Sequence, residues 1–205
     1  MALPIYDHLR DAPVAVIVPI RSFDGCKQRL APVLSADERS RLVMAMAARV
    51  LDAARPMPTV VATADHDVVD WARARSVPAL ATGGESLDAD ATEAIDFLAD
   101  HGVGAALIAH ADLPRAQRLD HLVRSGTVVL VPDRAEDGTN VCLVPTDAGF
   151  RFAYGPGSFA RHRAEAERLG LEVEIVVDDD LALDVDEPGH LAAASHLMPS
   201  VTAGI

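Results

Sequence analysis

Short apolar runs alternate along this chain with segments whose apolar residues recur at helical spacing. The first run, VAVIVPI at 14–20, is continuous and rich in β-branched residues, which is typical of a strand covered on both faces. A helix is predicted after it, because Ser35 and Glu38 have the spacing of a capping box and apolar residues follow at helical spacing. The same alternation predicts strands at 59–64, 77–81 and 105–110, with helices from about 65 past Trp71 and near 88–100.

The second half of the chain has a less regular pattern. It predicts a helix near 115–124, two strands at 127–132 and 140–145 joined by the turn-like DRAEDGT, and a half-exposed strand at 171–177. Strands that alternate with helices imply parallel β-α-β units in a sheet that helices cover. We therefore predict an α/β fold whose sheet is mixed and mostly parallel.

Length and composition favour one domain. The chain has 205 residues, of which 50% are hydrophobic and 24% are charged, as in an ordinary globular α/β protein. We predict a single domain over 1–205, with a short N-terminal extension over 1–12 and a loose tail over 197–205.

Net charge and cysteine content narrow the class of partner. A formal net charge of −13 would repel a polyanion, so nucleic acid and anionic membrane surfaces are not expected as partners. An anionic small molecule would need locally gathered cations.

The cysteine content and the N-terminus bear on the location of the protein. Cys26 and Cys142 are too few for a disulfide framework, which favours a cytoplasmic protein. The N-terminus lacks a signal-peptide pattern and no stretch has the length of a membrane span, so neither secretion nor membrane insertion is predicted.

The loop after the first strand is basic. In RSFDGCKQRLAP, at 21–32, Arg21, Lys27 and Arg29 are close together in an otherwise acidic chain. A basic loop at the carboxyl end of a strand suits a polyphosphate, but it can equally be a solvated charged loop. The glycine patterns of a P-loop and of a dinucleotide-binding loop are both absent.

Three aspartates are candidates for a metal site. Asp112 follows the strand at 105–110, where it either binds a cation or caps the next helix. Asp184 and Asp186 are two positions apart and lie on one face if the segment is extended. They could share a magnesium ion with Asp112, or one of them could cap the last helix at Pro188. The histidines lack zinc-site spacing, and no hydrolase triad is indicated.

Residues 153–162, AYGPGSFARH, predict a helix that begins at Gly-Pro-Gly-Ser. The backbone N–H groups and the dipole at a helix start favour an anion. The segment is therefore a candidate site for the phosphate or carboxylate of a ligand.

The order of these segments, namely the basic loop, HADLP, DGTN, YGPGSFARH and LDVDEP, resembles a known guanylyltransferase family. Members activate a three-carbon phospho-acid (phosphoenolpyruvate, 2-phospho-L-lactate or 3-phosphoglycerate) on the route to coenzyme F-420. The resemblance covers nearly all of residues 14–195. It implies a three-layer α/β/α sandwich of the nucleotide-diphospho-sugar-transferase type.

The resemblance also implies roles for individual residues. GTP would be a co-substrate and Mg²⁺ the cofactor, with metal-binding and catalytic carboxylates at Asp112 and Asp184 and Lys27 as a further catalytic residue. Separately from the resemblance, the alanine- and valine-rich helices could pack either inside one subunit or across a homodimer. GTP would contact Arg21, Ser22, Lys27, Arg29 and Asp88, and the acceptor would contact Thr139, Gly155 and Ser158.

Four positions depart from the family's usual residues. Arg21 stands where Lys is usual, Asp88 where Asn is usual, and Glu136 and Asp137 where Gly-Thr is usual. Two other functions therefore remain: a related nucleotidyltransferase that uses a molybdopterin or sugar phosphate as acceptor, and a catalytically silent nucleotide-binding module.

Overall fold

One mixed sheet runs through the computed structural model, which describes residues 4–197. Its strand order is β3-β2-β1-β4-β6-β5-β7, and β6 is antiparallel to both of its neighbours while the other pairs are parallel. This confirms the predicted α/β fold with a mixed, mostly parallel sheet. The strands are β1 (Val14–Pro19), β2 (Thr59–Thr63), β3 (Ala79–Ala81), β4 (Ala105–Ala109), β5 (Thr127–Pro132), β6 (Thr139–Pro145) and β7 (Glu172–Ile175).

Helices cover both faces of the sheet. Alternate residues of β1 point to opposite sides: Val16 and Val18 pack with α1 and α2, whereas Ala15 and Ile17 pack with α3 and α4. None of the described helices is both long enough and apolar enough to cross a membrane. The helices are α1 (Ala36–Ala53), α2 (His66–Arg73), α3 (Leu87–Asp100) and α4 (Ser158–Arg168), with 3-10 helices at Pro4–Leu9, Gln28–Leu30, Asp120–Leu122 and Pro188–Ala194.

The sheet changes direction between β1 and β4. The chain winds outward from β1 through β2 to β3, and β4 then returns to the other side of β1. Loops at the carboxyl ends of two such strands leave in opposite directions and open a crevice, where ligands of α/β proteins bind. Because β6 is antiparallel to β4, with Ala109 opposite Val141, the first residues of β6 lie at the same edge.

The predicted helix near 115–124 is wrong. Leu113, Ala116, Leu119 and Leu122 are all buried, so the apolar spacing looks helical, but the segment forms turns and one short 3-10 helix. The N–H of Leu119 donates to the carbonyl of Ala53, in α1, at 3.0 Å, and a continuous helix would have used it internally.

The observed helix boundaries show whether the three aspartates cap helices. The residues that directly follow Asp112 form turns and not a helix, so its carboxylate is not a helix cap. The last helix, from Pro188, is a 3-10 helix whose N-cap residue is Glu187, so Asp184 and Asp186 do not cap it either. The helix-cap interpretation is therefore excluded for all three.

Residues 4–12 of the N-terminal extension pack on the sheet and on α3. Tyr6 donates a hydrogen bond of 2.7 Å to the carbonyl of Ala79, and its ring meets Phe97 edge-on at 4.8 Å. Of the tail that we predicted over 197–205, only Leu197 falls within the described residues; the rest lies outside them.

Helix α1 holds the basic loop in place. It begins with the predicted capping box between Ser35 and Glu38. Arg39 is 9% exposed, and its guanidinium donates to the carbonyls of Cys26 (3.2 Å) and Leu34 (2.9 Å). The hydroxyl of Ser40 donates to the carbonyl of Phe23 at 2.9 Å. The loop is thus fastened by side chains of the helix that follows it.

Replacing Arg39 with methionine should lower the free energy of unfolding by about 1–3 kcal/mol, because two largely buried carbonyls would lose their donor. Urea unfolding measures the difference. The control is Arg41→Met, at an exposed position of the same helix, which should change the free energy by at most about 0.5 kcal/mol. Equal losses in the two variants would contradict the anchoring role.

Candidate active site

Three carboxylates meet at the edge where β1 and β4 diverge. Asp112 lies three residues beyond the end of β4, and one oxygen each of Asp112, Asp184 and Asp186 lie within 4.8 Å of one another. Asp184 and Asp186 alternate with the buried residues Leu183 and Val185, so both side chains leave the same side of the segment. The structure thus brings together the two predicted metal-binding aspartates and adds Asp186 to them.

The ammonium group of Lys27 lies between two of these carboxylates. Its Nζ is 2.5 Å from Oδ2 of Asp112 and also contacts Oδ1 of Asp186. Burial alone would lower the pKa of Lys27, but the charges of both aspartates and the hydrogen bonds to them raise it above its usual value. Lys27 is therefore a cation, and it is the only lysine in the sequence.

The carboxylates carry more negative charge than Lys27 can offset. Oδ1 of Asp112 is buried and has no hydrogen-bond partner among the described residues. Burial raises the pKa of Asp184, and the charges of Asp112 and Asp186 raise it further. An unpaired buried oxygen within a set of three carboxylates fits a hard divalent cation such as Mg²⁺, which prefers oxygen ligands.

Two of the cavities that adjoin this cluster share part of their lining. The smaller, of about 180 Å³, is lined by the start of the basic loop, and the larger, of about 700 Å³, by the start of β6, the loop before α4 and the aspartates. Leu87, His110 and Asp112 line both cavities. Four buried polar atoms that lack a hydrogen-bond partner in the described part of the chain belong to residues lining the larger cavity: His110 Nε2, Asp112 Oδ1, Tyr154 OH and His190 Nδ1. Unpaired buried polar atoms in a cavity wall indicate a ligand site.

Two hydroxyl oxygens at the larger cavity accept hydrogen bonds from other groups of the protein. The N–H of Thr139 donates to Oγ of Ser158 at 3.0 Å, and Nδ1 of His162 lies 3.0 Å from Oγ1 of Thr139. The N–H of Ala153 donates to Nε2 of His162, so Nδ1 must bear the hydrogen and donate to Thr139. Both hydroxyl oxygens therefore accept from the protein and can donate to a ligand.

Helix α4 also shapes the loop before it. The guanidinium of Arg161 donates to the carbonyls of Ala153 (2.8 Å) and Pro156 (2.6 Å). These hydrogen bonds hold the loop against the first turn of α4. Gly155 lines the larger cavity with φ of +96°, a conformation that favours glycine. The N–H of Ser158 donates to the carbonyl of Gly155, so this donor is already used within the loop.

The residues expected to contact GTP are divided among three places. Arg21, Ser22 and Lys27 line the smaller cavity, and Arg21 donates to the carbonyl of Gly84 at 3.2 Å. Arg29 lines the larger cavity, and its side chain is exposed and lies 3.5 Å from Glu187. Asp88 is in the wall of neither cavity, and its carboxylate instead accepts a hydrogen bond from the N–H of Tyr154.

Several residues of the site had only weak signals in the sequence. The spacing of Asp186 from Asp184 indicated a shared face, but the family resemblance assigned a role to Asp184 alone. His162 is four residues after Ser158 and therefore on the same face of α4, which a helical wheel could have shown. Tyr154 and His110 had no signal that separated them from ordinary core residues.

Comparison with known proteins gives a family match. The family model described as "Guanylyl transferase CofC like" matches residues 14–195. A phosphoenolpyruvate guanylyltransferase of Conexibacter woesei is 36% identical over 200 residues, covering 92% of this chain and 90% of that protein. One from Sphaerobacter thermophilus is 34% identical over 184 residues, covering 85% and 89%. A 2-phospho-L-lactate guanylyltransferase of Methanothrix thermoacetophila is 34% identical over 187 residues, covering 87% and 81%.

Solved structures share the fold. A proposed nucleotide-diphospho-sugar transferase from Desulfovibrio desulfuricans has a TM-score of 0.66 at 18% identity, covering 86% of this chain and 83% of that one. A nucleotidyl transferase from Methanothermobacter thermautotrophicus has a TM-score of 0.62 at 14% identity, covering 91% and 98%. These similarities confirm the predicted fold type.

Replacing His162 with glutamine should make stability less dependent on pH. Burial lowers the pKa of His162 from its usual 6.5 to about 4. The folded state thus resists protonation, and the stability that neutral His162 provides is complete above pH 6.5 and is lost as the pH falls toward 4. The loss is at most roughly 3 kcal/mol.

The measurement is urea unfolding of both proteins between pH 7 and pH 4. The variant should be less stable at pH 7, and the gap should narrow as the pH falls. His66→Gln, which removes an exposed histidine, serves as the control and should keep the wild-type slope. A gap that stays constant over this range would contradict the burial effect.

Replacing Lys27 with methionine should lower the free energy of unfolding in metal-free buffer by about 1–3 kcal/mol, because two partly buried carboxylates lose the donor between them. Millimolar Mg²⁺ or Mn²⁺ should then raise the melting temperature of the variant more than that of the wild type. Thermal unfolding with and without cation tests both effects.

Arg29→Met is the matched control, since it removes a cation of the same loop whose side chain is 72% exposed. It should leave both the stability and the response to cation near wild-type values. If the Lys27 variant responds to cation no more than this control does, the assignment of the cluster as a cation site fails.

Proposed function

The chain belongs to the CofC-like guanylyl transferase family, a family of nucleotidyltransferase enzymes, and from that premise we propose its reaction. It transfers GMP from GTP to the phosphate of a three-carbon phospho-acid and releases pyrophosphate, as a step toward coenzyme F-420. Phosphoenolpyruvate and 2-phospho-L-lactate occur in the names of its relatives, and 3-phosphoglycerate is a third candidate acceptor. One observation supports this most: Asp112, Asp184 and Asp186 cluster where the two cavities adjoin, and Lys27 forms salt bridges to Asp112 and Asp186.

The two cavities suit the two reactants. The triphosphate of GTP lies along the basic loop, where Arg21, Ser22 and Lys27 line the smaller cavity. The acceptor occupies the larger cavity, where the hydroxyls of Thr139 and Ser158 can each donate a hydrogen bond to an anionic oxygen. Because the cavities share Asp112, the two phosphates come together beside the aspartates.

The chemistry needs position and positive charge. An oxygen of the acceptor phosphate forms a bond to the α-phosphorus of GTP, the bond from that phosphorus to the bridging oxygen breaks, and pyrophosphate leaves with the electron pair. The acceptor phosphate is already ionised at neutral pH, so no side chain has to remove a proton. His162 fits this scheme, since both its ring nitrogens are engaged in hydrogen bonds.

Charge in the larger cavity limits how an anion can enter. Six carboxylates line it against two arginines, so its wall would repel both reactants. Asp112, Asp184 and Asp186 would hold Mg²⁺, which when bound screens the anions from one another and stabilises charge on the transferred phosphate. Lys27 adds one more positive charge beside the same phosphates.

The proposal is tested by measuring pyrophosphate release from GTP and Mg²⁺ with each of the three acceptors. We expect release that depends on one of them. Asp112→Asn should reduce it by at least about 100-fold, because the site loses a negative ligand. The control is Asp179→Asn, which changes an exposed aspartate outside both cavities and should retain activity.

Two results would contradict the proposal. GTP binding without pyrophosphate release, whichever acceptor is supplied, would indicate a nucleotide-binding module. Full activity of the Asp112 variant would remove the aspartates from the reaction.

A further inference from the structure

Asp88 joins two parts of the site that are far apart in the chain. It lies in the first turn of α3, and its Oδ1 accepts a hydrogen bond of 2.6 Å from the backbone N–H of Tyr154, 66 positions away. The helix does not need this carboxylate as a cap, because Oγ of Ser86 accepts from the N–H of Ala89. The carboxylate of Asp88 is thus committed to the loop before α4.

That loop is also held by its own helix. The guanidinium of Arg161 gathers the carbonyls of Ala153 and Pro156, and Nε2 of His162 accepts from the N–H of Ala153. These contacts fix the shape of the loop relative to α4. The bond to Asp88 instead fixes the loop relative to α3, whose first residue, Leu87, also lines the larger cavity.

The neighbours of both partners belong to the site. Leu87, next to Asp88, lines both cavities, and Gly155, next to Tyr154, lines the larger one. A shift at Tyr154 would move Gly155 directly, because only one peptide bond separates them. The position of Gly155 relative to Leu87 in the cavity wall therefore depends on this hydrogen bond.

We propose that Asp88 is a positioning residue for the acceptor: by holding the N–H of Tyr154, it keeps Tyr154 and Gly155 in the position that the acceptor needs. The inference rests on the proposed function and assigns Asp88 to the acceptor side of the reaction. Asparagine at this position could accept the same hydrogen bond through its side-chain oxygen. The role therefore requires an acceptor atom and not a negative charge.

Two substitutions distinguish a role of the acceptor atom from a role of the negative charge. Asp88→Ala removes the acceptor atom, and Asp88→Asn keeps it. In the alanine variant the amide hydrogen of Tyr154, followed by NMR, should exchange about tenfold faster or more, because a hydrogen bond to a charged group is lost. In the asparagine variant the exchange rate should stay within about threefold of wild type.

Kinetics give a second readout. In Asp88→Ala the KM for the acceptor should rise about tenfold, while kcat and the dissociation constant of GTP change less than about threefold, because the loop binds acceptor in the ground state and the transition state alike. Asp88→Asn should restore the KM. Asp96→Ala, an exposed aspartate of the same helix, is the control and should behave as wild type in both measurements.

Unchanged exchange at Tyr154 in the alanine variant would overturn the inference. So would a loss of GTP affinity with an unchanged KM for the acceptor, which would return Asp88 to the nucleotide. If the wild type releases no pyrophosphate with any acceptor, the proposed function fails, whereas amide exchange still tests whether Asp88 holds the loop.

Discussion

Three clustered carboxylates, two of which contact one ammonium group, impose the main electrostatic constraint on this protein. Like charges within 4.8 Å of one another repel, and partial burial strengthens the repulsion because less water screens it. Lys27 offsets part of that charge. A lysine suits the position better than an arginine would, since a compact ammonium can contact two carboxylates from different directions and still turn toward another anion.

The fold dictates which chain segments can meet at that point. The reversal of direction between β1 and β4 opens the crevice, and antiparallel β6 brings Thr139 to the same edge. Asn140 then ties the aspartate segment to β6, because its side-chain amide donates to the carbonyl of Leu181 at 2.9 Å. These functional groups thus lie at the end of a buried strand or in a segment that is hydrogen-bonded to such a strand. The rigid backbone of the sheet therefore sets the geometry of the site.

The sequence predicted the strands and helices whose hydrophobic residues recur at a regular spacing. It missed the contacts between residues that are far apart in the chain. The buried strands and α1 to α4 were predictable because burial on one or both faces leaves a periodic pattern. The segment around Leu119 has apolar residues at nearly helical spacing, yet a hydrogen bond from its N–H to the carbonyl of Ala53, 66 positions earlier, takes the place of a helical hydrogen bond.

The residues of the candidate site also differ in how well the sequence predicted them. The aspartates were indicated by spacing and resemblance, whereas the partners of Asp88 and His162 lie far along the chain and leave no local signal.

An acidic cavity can still bind an anion if its neutral donors point the right way. The N–H of Ala153 donates to Nε2 of His162, which places the ring hydrogen on Nδ1 and turns the hydroxyl of Thr139 outward. This order of donors holds only while His162 is neutral, because a protonated ring would have no lone pair for Ala153. Burial keeps it neutral by lowering its pKa to about 4. The shape of the loop, the protonation state of His162 and the direction of the Thr139 hydroxyl are therefore one coupled property, and a change in any of them alters the other two.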